Sequence, residues 1–247
     1  MSLVISMNNF KGGSAKSTHT VNLAYALSMK QKRVLVIDLD PQAHLSDAFG
    51  LSNHEQNSYK ALHDGELKPI EKTEYIHIVP SHQDLTAAEV ELANKVVGHN
   101  VLKKLIDKIK NNYDYVFIDC PPAFGKLTLN SICAADEVIG CLIPEYYALE
   151  GLIQFTNILA QVNEELSNVP MSGVIIGRYY KGQENSEVIN KQATDLFGDA
   201  VYKTVIRIDS EISKAPALHQ TIFEYSPKSR GAEDYMELAN EFLARHQ

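Results

Sequence analysis

The sequence predicts an α/β fold, a single domain with a mainly parallel, twisted β-sheet flanked by helices on both faces. Short runs rich in Val and Ile alternate along the chain with segments of helical periodicity. The strand-like runs are apolar on both faces, which is typical of strands covered by helices on both sides. No internal repeat, low-complexity tract or Pro/Gly-rich linker divides the 247 residues. We therefore expect one domain that spans residues 1–247.

Seven strands and six helices are predicted from these runs. The strands are Leu3–Met7, Val34–Ile37, Ile76–Val79, Tyr115–Ile118, Val138–Ile143, Gly173–Ile176 and Val201–Val205. The helices are Ser17–Met29, Leu85–Lys95, Val101–Lys110, Leu149–Glu165, Glu187–Phe197 and Gly231–Arg245. Ligands of open parallel sheets bind at the carboxyl ends of the strands. The segments after the first, second, fourth and fifth strands should therefore converge.

Composition limits the possible classes of protein. The chain has 23 Lys and Arg against 31 Asp and Glu, a net charge of −8, and 45% hydrophobic residues. These values are typical of a globular protein and exclude a disordered or strongly basic chain. No apolar run reaches the ~18–20 residues of a membrane span, and the N-terminus lacks the features of a signal peptide. Three cysteines, Cys120, Cys133 and Cys141, match no zinc or disulfide spacing, so we expect a reduced, cytoplasmic chain.

A loop with two glycines follows the first predicted strand and leads into a helix, with the sequence NFKGGSAKST over residues 9–18. Small residues let successive backbone N–H groups face an anion, and the helix N-terminus adds its dipole. Lys16 then offers a charge to the β- and γ-phosphates of a nucleotide, and Ser17 offers a hydroxyl to Mg²⁺. The pattern predicts a phosphate-binding loop of the P-loop NTPase type.

Two positions of this loop depart from the generic phosphate-loop pattern. Phe10 and Ala15 stand where that pattern has glycine. Because an L-residue is strained in the left-handed region, we expect Ala15 to avoid a left-handed backbone. The alternative interpretation of the segment is a Gly-Gly turn before an ordinary helix start.

Acidic residues follow two further predicted strands. Asp38 and Asp40 come directly after Val34–Ile37, and Asp119 comes directly after Tyr115–Ile118. A carboxylate at the end of a buried strand beside a phosphate loop is what a magnesium–nucleotide site requires. The alternative is that each Asp only caps a turn before a proline. Cys120, next to Asp119, is interpreted as a small packing residue and not as a reactive thiol.

With these motifs in place, the sequence resembles the deviant-Walker ATPases of the ParA/MinD group, and most closely the ParA-type partition ATPases. The resemblance runs almost end to end. It is carried by NNFKGGSAKST, RVLVIDLDPQAHLS, YDYVFIDCPPAFGKLTLNSICAADEVI, PEYYALEGL, GDAVYKTVIRIDSEISKAP and EYSPKSRGAEDYMELANEFL. The order of DLDPQ, DCPP and PEYYALEGL is more specific than a phosphate loop alone.

The resemblance implies a catalytic role for three residues. Lys11 would reach the nucleotide of a second subunit, Lys16 would bind the phosphates, and Asp40 would position or activate the attacking water. It implies metal contacts for Ser17, Asp40 and Asp119, with Asp38 as a further acid behind them. The nucleotide-binding residues that it implies are Lys11, Gly12, Gly13, Ser14, Ala15, Lys16, Ser17, Thr18, Glu145, Tyr146, Arg207 and Asp209. The family's adenine-side loop has Pro-Arg-Asn where this chain has Arg207-Ile208-Asp209.

The activity implied by the resemblance is slow hydrolysis of ATP with Mg²⁺, stimulated by a partner. The family forms an ATP-dependent homodimer that binds DNA without sequence preference, and a ParB-like or other adaptor protein triggers release. The chain would then be cytoplasmic, associated with the nucleoid when ATP-bound, and would drive plasmid or chromosome partition. Candidate DNA contacts are Arg178, Lys181, Lys203, Lys214, Lys228 and Arg230.

Other functions on the same fold stay open. A ParA-like ATPase could position a carboxysome or a chemoreceptor cluster instead of DNA. A MinD-like membrane-cycling ATPase needs a basic amphipathic C-terminal helix, whereas the polar face of the last predicted helix is acidic, so no stable membrane association is expected. An iron–sulfur carrier needs paired cysteines, which the sequence lacks. No N-terminal helix-turn-helix module is expected.

Overall fold

The computed structural model describes residues 2–246. Its strands are β1 (Leu3–Asn8), β2 (Val34–Asp38), β3 (Ile70–Thr73), β4 (Ile76–Val79), β5 (Tyr115–Asp119), β6 (Glu137–Leu142), β7 (Met171–Tyr179) and β8 (Val201–Arg207). They form one sheet in the order β3-β4-β2-β5-β1-β6-β7-β8. All neighbouring pairs are parallel except β3 with β4. The predicted α/β fold with a mainly parallel sheet is confirmed.

Helices follow most of the strands, and the last three helices come after β8. They are α1 (Lys16–Met29), α2 (His44–Ala48), α3 (Ser58–Asp64), α4 (Leu85–Ala93), α5 (Val101–Ile106), α6 (Lys126–Ala134), α7 (Tyr146–Glu165), α8 (Glu184–Phe197), α9 (Ser210–Lys214), α10 (Ile222–Tyr225) and α11 (Arg230–Arg245). Short 3₁₀ turns cover Gly98–Asn100, Lys110–Asn112, Gly198–Ala200 and Ala215–Leu218. In residues 2–246, no helix has the length and apolar character needed to cross a membrane.

All seven predicted strands and six predicted helices are present, with ends that differ by up to four residues. The sequence did not predict β3, whose residues IEKT are half-buried at the sheet edge and show no apolar run. It also missed α2, α3, α6, α9 and α10. Three of these have only four or five residues, too few for a helical period. In α6 all residues from 127 to 134 are buried, so one-sided periodicity is absent.

Two hydrophobic layers enclose the sheet. In β2 the side chains of Val34 and Val36 belong to one layer, and those of Leu35 and Ile37 belong to the other. The strand is completely buried on both faces. This arrangement explains why its sequence shows no alternation of apolar and polar residues.

The last helix, α11, packs its apolar stripe into the core. Tyr235, Leu238, Ala239 and Phe242 are all inaccessible to solvent. The stripe is therefore not available to a membrane surface. Acidic residues of the same helix cover the outer edge of β8, since the Glu241 carboxylate accepts backbone N–H groups from the strand at 2.8 and 2.9 Å. Pairing of that edge with another chain is thereby blocked.

The strand order brings the predicted functional segments together. β5 lies between β1 and β2, and the register places Asp119 beside Asp38 on one side and Met7 on the other. The loops that leave the carboxyl ends of these three strands therefore begin side by side, as predicted.

Candidate functional site

The loop between β1 and α1 is tied to its surroundings by the side chain of Asn9. Its Nδ2 donates hydrogen bonds to the backbone oxygens of Cys141 (2.8 Å) and Ala148 (3.2 Å). Its Oδ1 accepts one from the backbone N–H of Lys11 (2.8 Å). Asn9 is buried, so water does not compete for these bonds. They hold the loop against β6 and α7 and fix the direction in which it leaves the sheet.

Ala15 corrects one sequence prediction. It lies in the left-handed region, with φ 65° and ψ 19°, so the expectation that it avoids this conformation was wrong. The conformation costs an L-residue roughly 1–2 kcal/mol. Ala15 is the N-cap of α1, and Gly13 before it is also left-handed, with φ 77°. Left-handed residues inside such a loop turn successive N–H groups towards one point, which makes an anion-binding concavity.

Lys16, Ser17 and Asp119 form a compact charged group beneath the loop. The Ser17 hydroxyl donates a hydrogen bond of 2.5 Å to Oδ2 of Asp119. Lys16 is almost wholly buried, and Asp119 is wholly buried. Burial raises the pKa of Asp119, while the Ser17 hydrogen bond and the positive charge of Lys16 act in the opposite direction. A hydroxyl and a carboxylate oxygen this close together are ligands that Mg²⁺ prefers.

The two carboxylates after β2 have different surroundings. Asp38 is wholly buried and accepts hydrogen bonds from the Ser46 backbone N–H (2.9 Å), the Ser46 hydroxyl (2.6 Å) and the Asp40 N–H (3.0 Å). Burial raises its pKa, and the neighbouring charge of Asp119 raises it further. Asp40 uses Oδ1 to accept the Gln42 N–H at 3.0 Å and lines the cavity above the phosphate loop. Asp38 thus fixes the turn, and Asp40 is free to act on a ligand.

A cavity of about 490 Å³ opens over the phosphate loop. It is lined by residues 12–18 and by Asp40, Gln42, His44, Pro122, Arg178 and Ser213. The Ser14 hydroxyl is buried without a hydrogen-bond partner in residues 2–246, which marks a place for a ligand oxygen. The residues present fit a triphosphate chain with a magnesium ion: backbone N–H groups and Lys16 for the phosphates, and Ser17 with Asp119 for the metal.

A second cavity of about 170 Å³ adjoins the first. Ala15, Thr18, Arg178 and Ser213 line both cavities. His19 and Tyr235 belong to its inner wall, where Nδ1 of His19 lies 2.9 Å from the Tyr235 hydroxyl. Burial lowers the pKa of His19 to about 3, so the imidazole is neutral. Its Nε2 is buried and has no hydrogen-bond partner in the described part of the chain.

Arg207 and Asp209 build another wall of this second cavity. The Arg207 guanidinium is held by the carboxylate of Asp234 at 2.6–3.0 Å. The Asp209 carboxylate accepts the backbone N–H of Glu211 at 3.0 Å and that of Gly231 at 2.9 Å. Both side chains therefore join α9 and α11 to the end of β8. Both residues line the smaller cavity, but their polar groups already have partners within the protein.

Lys11 and Glu145 lie outside the cavities, on the exposed face of the loop. They form an ion pair, with side chains 29% and 50% exposed. Tyr146 and Tyr147 follow at the start of α7 and are 59% and 71% exposed. Glu145 and Tyr146 contact none of the cavity space described above.

Comparison with known proteins identifies the family. The family model described as an AAA domain matches residues 2–171. The sporulation initiation inhibitor protein Soj of Bacillus subtilis (strain 168) is 37% identical over 251 residues, covering 99% of this chain and 99% of Soj. The chromosome partitioning protein ParA of Myxococcus xanthus (strain DK1622) is 33% identical, covering 98% of this chain and 88% of that protein. The chain belongs to the ParA family.

A solved structure supports the fold of this ParA family member. Cobyrinic acid a,c-diamide synthase from Mycobacterium smegmatis was solved with a bound ATP analogue and magnesium. It is 27% identical, with a TM-score of 0.83 over 98% of this chain and 95% of that one. The predicted fold class and the resemblance to ParA-type ATPases are thus both confirmed.

The candidate DNA contacts are not together in this ParA family member. Arg178 lines both cavities, and Lys203 lies four residues before Arg207, about 13 Å towards the amino end of β8. Lys214 and Arg230 are both near Asp209, whose pKa is held low by its backbone hydrogen bonds and by these two positive charges. Of these candidates, Lys214 and Arg230 therefore form a group around Asp209, whereas Arg178 and Lys203 lie elsewhere.

The sequence analysis gave no role in the site to several residues that line the cavities, among them His19, Gln42, His44, Pro122, Ser213 and Tyr235. Gln42, His44, Pro122 and Ser213 stand in the segments that carry the family resemblance, but that resemblance pointed to their acidic and basic neighbours and not to them. The position of Cys120 is as expected: it is buried, its Sγ lies 2.9 Å from the Ser131 hydroxyl, and burial raises its pKa to about 12. A thiol in these surroundings is unreactive.

Proposed function

We propose that this chain binds ATP with Mg²⁺ and hydrolyses it as a ParA-type partition ATPase. The observation that carries the proposal is the Ser17–Asp119 hydrogen bond beside buried Lys16, with Asp40 facing the same cavity. Within one site, these groups supply a cation that can bind the phosphates, two oxygen ligands for the metal and a carboxylate that can position water. The relatives named as chromosome partitioning proteins support the biological role.

The mechanism follows from the position of each group. Backbone N–H groups of residues 12–17 and the ammonium of Lys16 would bind the β- and γ-phosphates and hold the triphosphate in line. Mg²⁺ held near Ser17 and Asp119 would neutralise negative charge on the phosphates. Asp40 would hold the attacking water and accept its proton. Slow turnover is expected until a ParB-like or other adaptor protein completes the site.

The decisive test is calorimetric titration of the protein with ATP, with and without Mg²⁺, together with phosphate release. Magnesium-dependent binding followed by release of phosphate supports the proposal. Absence of binding in both conditions contradicts it.

We further propose that ATP brings two copies together through the exposed face that carries Lys11 and Tyr146. In the free chain the Lys11 ammonium is held by Glu145 of the same subunit. In the dimer it would leave that carboxylate for the phosphates of the partner's nucleotide, which carry more negative charge. Dimerisation would thus depend on the nucleotide state.

Replacing Lys11 by Ala is expected to abolish ATP-dependent dimerisation while changing the ATP affinity of the monomer, measured at low protein concentration, by less than about threefold. Lys11 lies outside the cavity that receives the phosphates, so the subunit's own site keeps its contacts. Light scattering after size exclusion measures the mass with ATP and with ADP. Lys110→Ala, which removes an exposed ion pair with Asp107, is the matched control and should still dimerise. A dimeric Lys11→Ala variant would contradict the assigned role.

We propose that the ATP-bound dimer binds DNA without sequence preference through Lys214, Lys228 and Arg230, on the nucleoid in the cytoplasm. Lys214 and Arg230 surround Asp209, and Lys228 precedes the N-cap of α11. A dimer presents the group twice, so two weak electrostatic sites reinforce each other. The net charge of −8 agrees with a small local patch and not with a basic DNA-binding module.

The triple variant Lys214→Ala, Lys228→Ala, Arg230→Ala is expected to lose at least about tenfold in DNA affinity, because phosphate contacts dominate such binding. ATP-dependent dimerisation should be unchanged. Fluorescence anisotropy with a random duplex at two salt concentrations measures the effect. The control triple variant, Lys103→Ala, Lys104→Ala, Lys108→Ala, removes the same charge at and just after α5. Equal DNA binding by both variants would refute this patch.

A further inference from the structure

Arg178 has an unusual backbone at the carboxyl end of β7. Its φ is 51°, in the left-handed region that L-residues rarely adopt. The pairing of β7 with β8 shifts at the same place: Ile176 pairs with Val205, but Tyr179 pairs with Arg207. The interval of three residues from Ile176 to Tyr179 in β7 is therefore matched by an interval of only two residues in β8. The extra residue in β7 forms a β-bulge. Bulges next to functional sites commonly redirect a side chain.

The bulge directs the Arg178 side chain towards the space above the phosphate loop. Arg178 is one of the few residues that line both the 490 Å³ cavity and the 170 Å³ cavity. Its guanidinium forms no ion pair with a carboxylate in residues 2–246, unlike that of Arg207 or Arg245. An exposed cation without a partner, held by a strained backbone at a ligand cavity, is suited to an anionic ligand.

The two cavities differ in what they can receive. The larger one contains the phosphate loop and Asp40, which suits the β- and γ-phosphates and the metal. The smaller one is lined by the apolar side chains of Ile206, Ile208 and Ile212 and by the ring of Tyr235, so it suits the nucleoside end. Arg178 lies where the two cavities join. If the β- and γ-phosphates occupy the larger cavity and the nucleoside occupies the smaller one, the group of the nucleotide at this junction is the α-phosphate.

We propose that Arg178 binds the α-phosphate of the nucleotide held by its own subunit, and is a nucleotide-binding residue and not a DNA contact. The inference rests on the proposed function, because it assumes that the cavity takes a nucleoside polyphosphate. A bidentate guanidinium matches two phosphate oxygens better than an ammonium does. It would bind ATP and ADP equally well, since both carry the α-phosphate.

The test compares nucleotide affinities of Arg178→Met, which keeps an unbranched apolar stem but removes the guanidinium and its charge, with those of the wild-type protein. We expect affinity to fall about tenfold for ATP, ADP and CTP alike, the loss of one charge-assisted contact. Arg178→Lys should recover part of it. Lys191→Met, at an exposed lysine of α8 outside both cavities, is the matched control and should bind as wild type does.

Unchanged affinity of Arg178→Met for all three nucleotides would overturn the inference, and so would each of the following results. A loss confined to ATP would point to the γ-phosphate, and a loss confined to ATP and ADP but absent for CTP would point to stacking on the purine. Reduced DNA binding at saturating ATP, with nucleotide affinity unchanged, would return Arg178 to the DNA-binding set. Failure of the wild-type protein to bind any nucleotide would instead refute the proposed function itself.

Discussion

Replacing Lys16 by Ala is expected to weaken the binding of ATP with Mg²⁺ by at least about 100-fold, which is more than any other single change in the loop. Lys16 is 6% exposed, so its charge acts on a ligand with little screening by water. The backbone N–H groups of the loop remain, but they carry only partial charges against the several full negative charges of a triphosphate. Calorimetric titration measures the loss.

The same substitution also affects a buried carboxyl group. The Lys16 charge lowers the pKa of Asp119, so its removal leaves that carboxyl without its cation. Thermal unfolding followed by circular dichroism must therefore accompany the titration, and Lys16→Gln serves as a second, polar variant. Lys30→Ala, at the other end of α1, is the matched control. A folded Lys16→Ala protein that binds ATP as tightly as wild type would show that the loop is not the phosphate site.

The parts of the site that the sequence could predict are those whose geometry is local. A strand, a turn of small residues and a helix over residues 3–29 define the phosphate loop without information from the rest of the chain. Asp38 and Asp119 end two buried strands, and the rule that parallel strands present their carboxyl ends at one edge brought them together. The fold class followed from the same alternation of strands and helices.

The parts that it could not predict depend on contacts between distant segments. The ion pair of Lys11 with Glu145 joins residues 134 positions apart, and the pairing of Arg207 with Asp234 needs α11 to lie against β8. The bulge at Arg178 depends on the register between β7 and β8. From the sequence alone, Arg178 was therefore only one of several candidate surface cations. Ala15 was wrongly expected to avoid a left-handed backbone, because composition does not reveal how sharply a loop must turn.

Replacing Asp40 by Ala is expected to lower the rate of ATP hydrolysis by about 100-fold or more, the usual contribution of a positioned acid or base. Binding of ATP and ATP-dependent dimerisation should persist, since the loop and Lys16 are unchanged. Asp40 faces the cavity and has one carboxylate oxygen engaged by the Gln42 N–H at 3.0 Å. Single-turnover release of phosphate from a preformed ATP complex measures the chemical step apart from binding. Asp84→Ala, an exposed aspartate before α4, is the control.

Asp38 cannot replace Asp40 in that variant, although it is only two residues away. Its oxygens accept three hydrogen bonds from Ser46 and Asp40, and it is wholly buried. Asp38→Ala should therefore lower the free energy of unfolding, whereas Asp40→Ala should lower turnover. If Asp40→Ala hydrolyses ATP at the wild-type rate, the base must be a different group and the two carboxylates after β2 share a structural role.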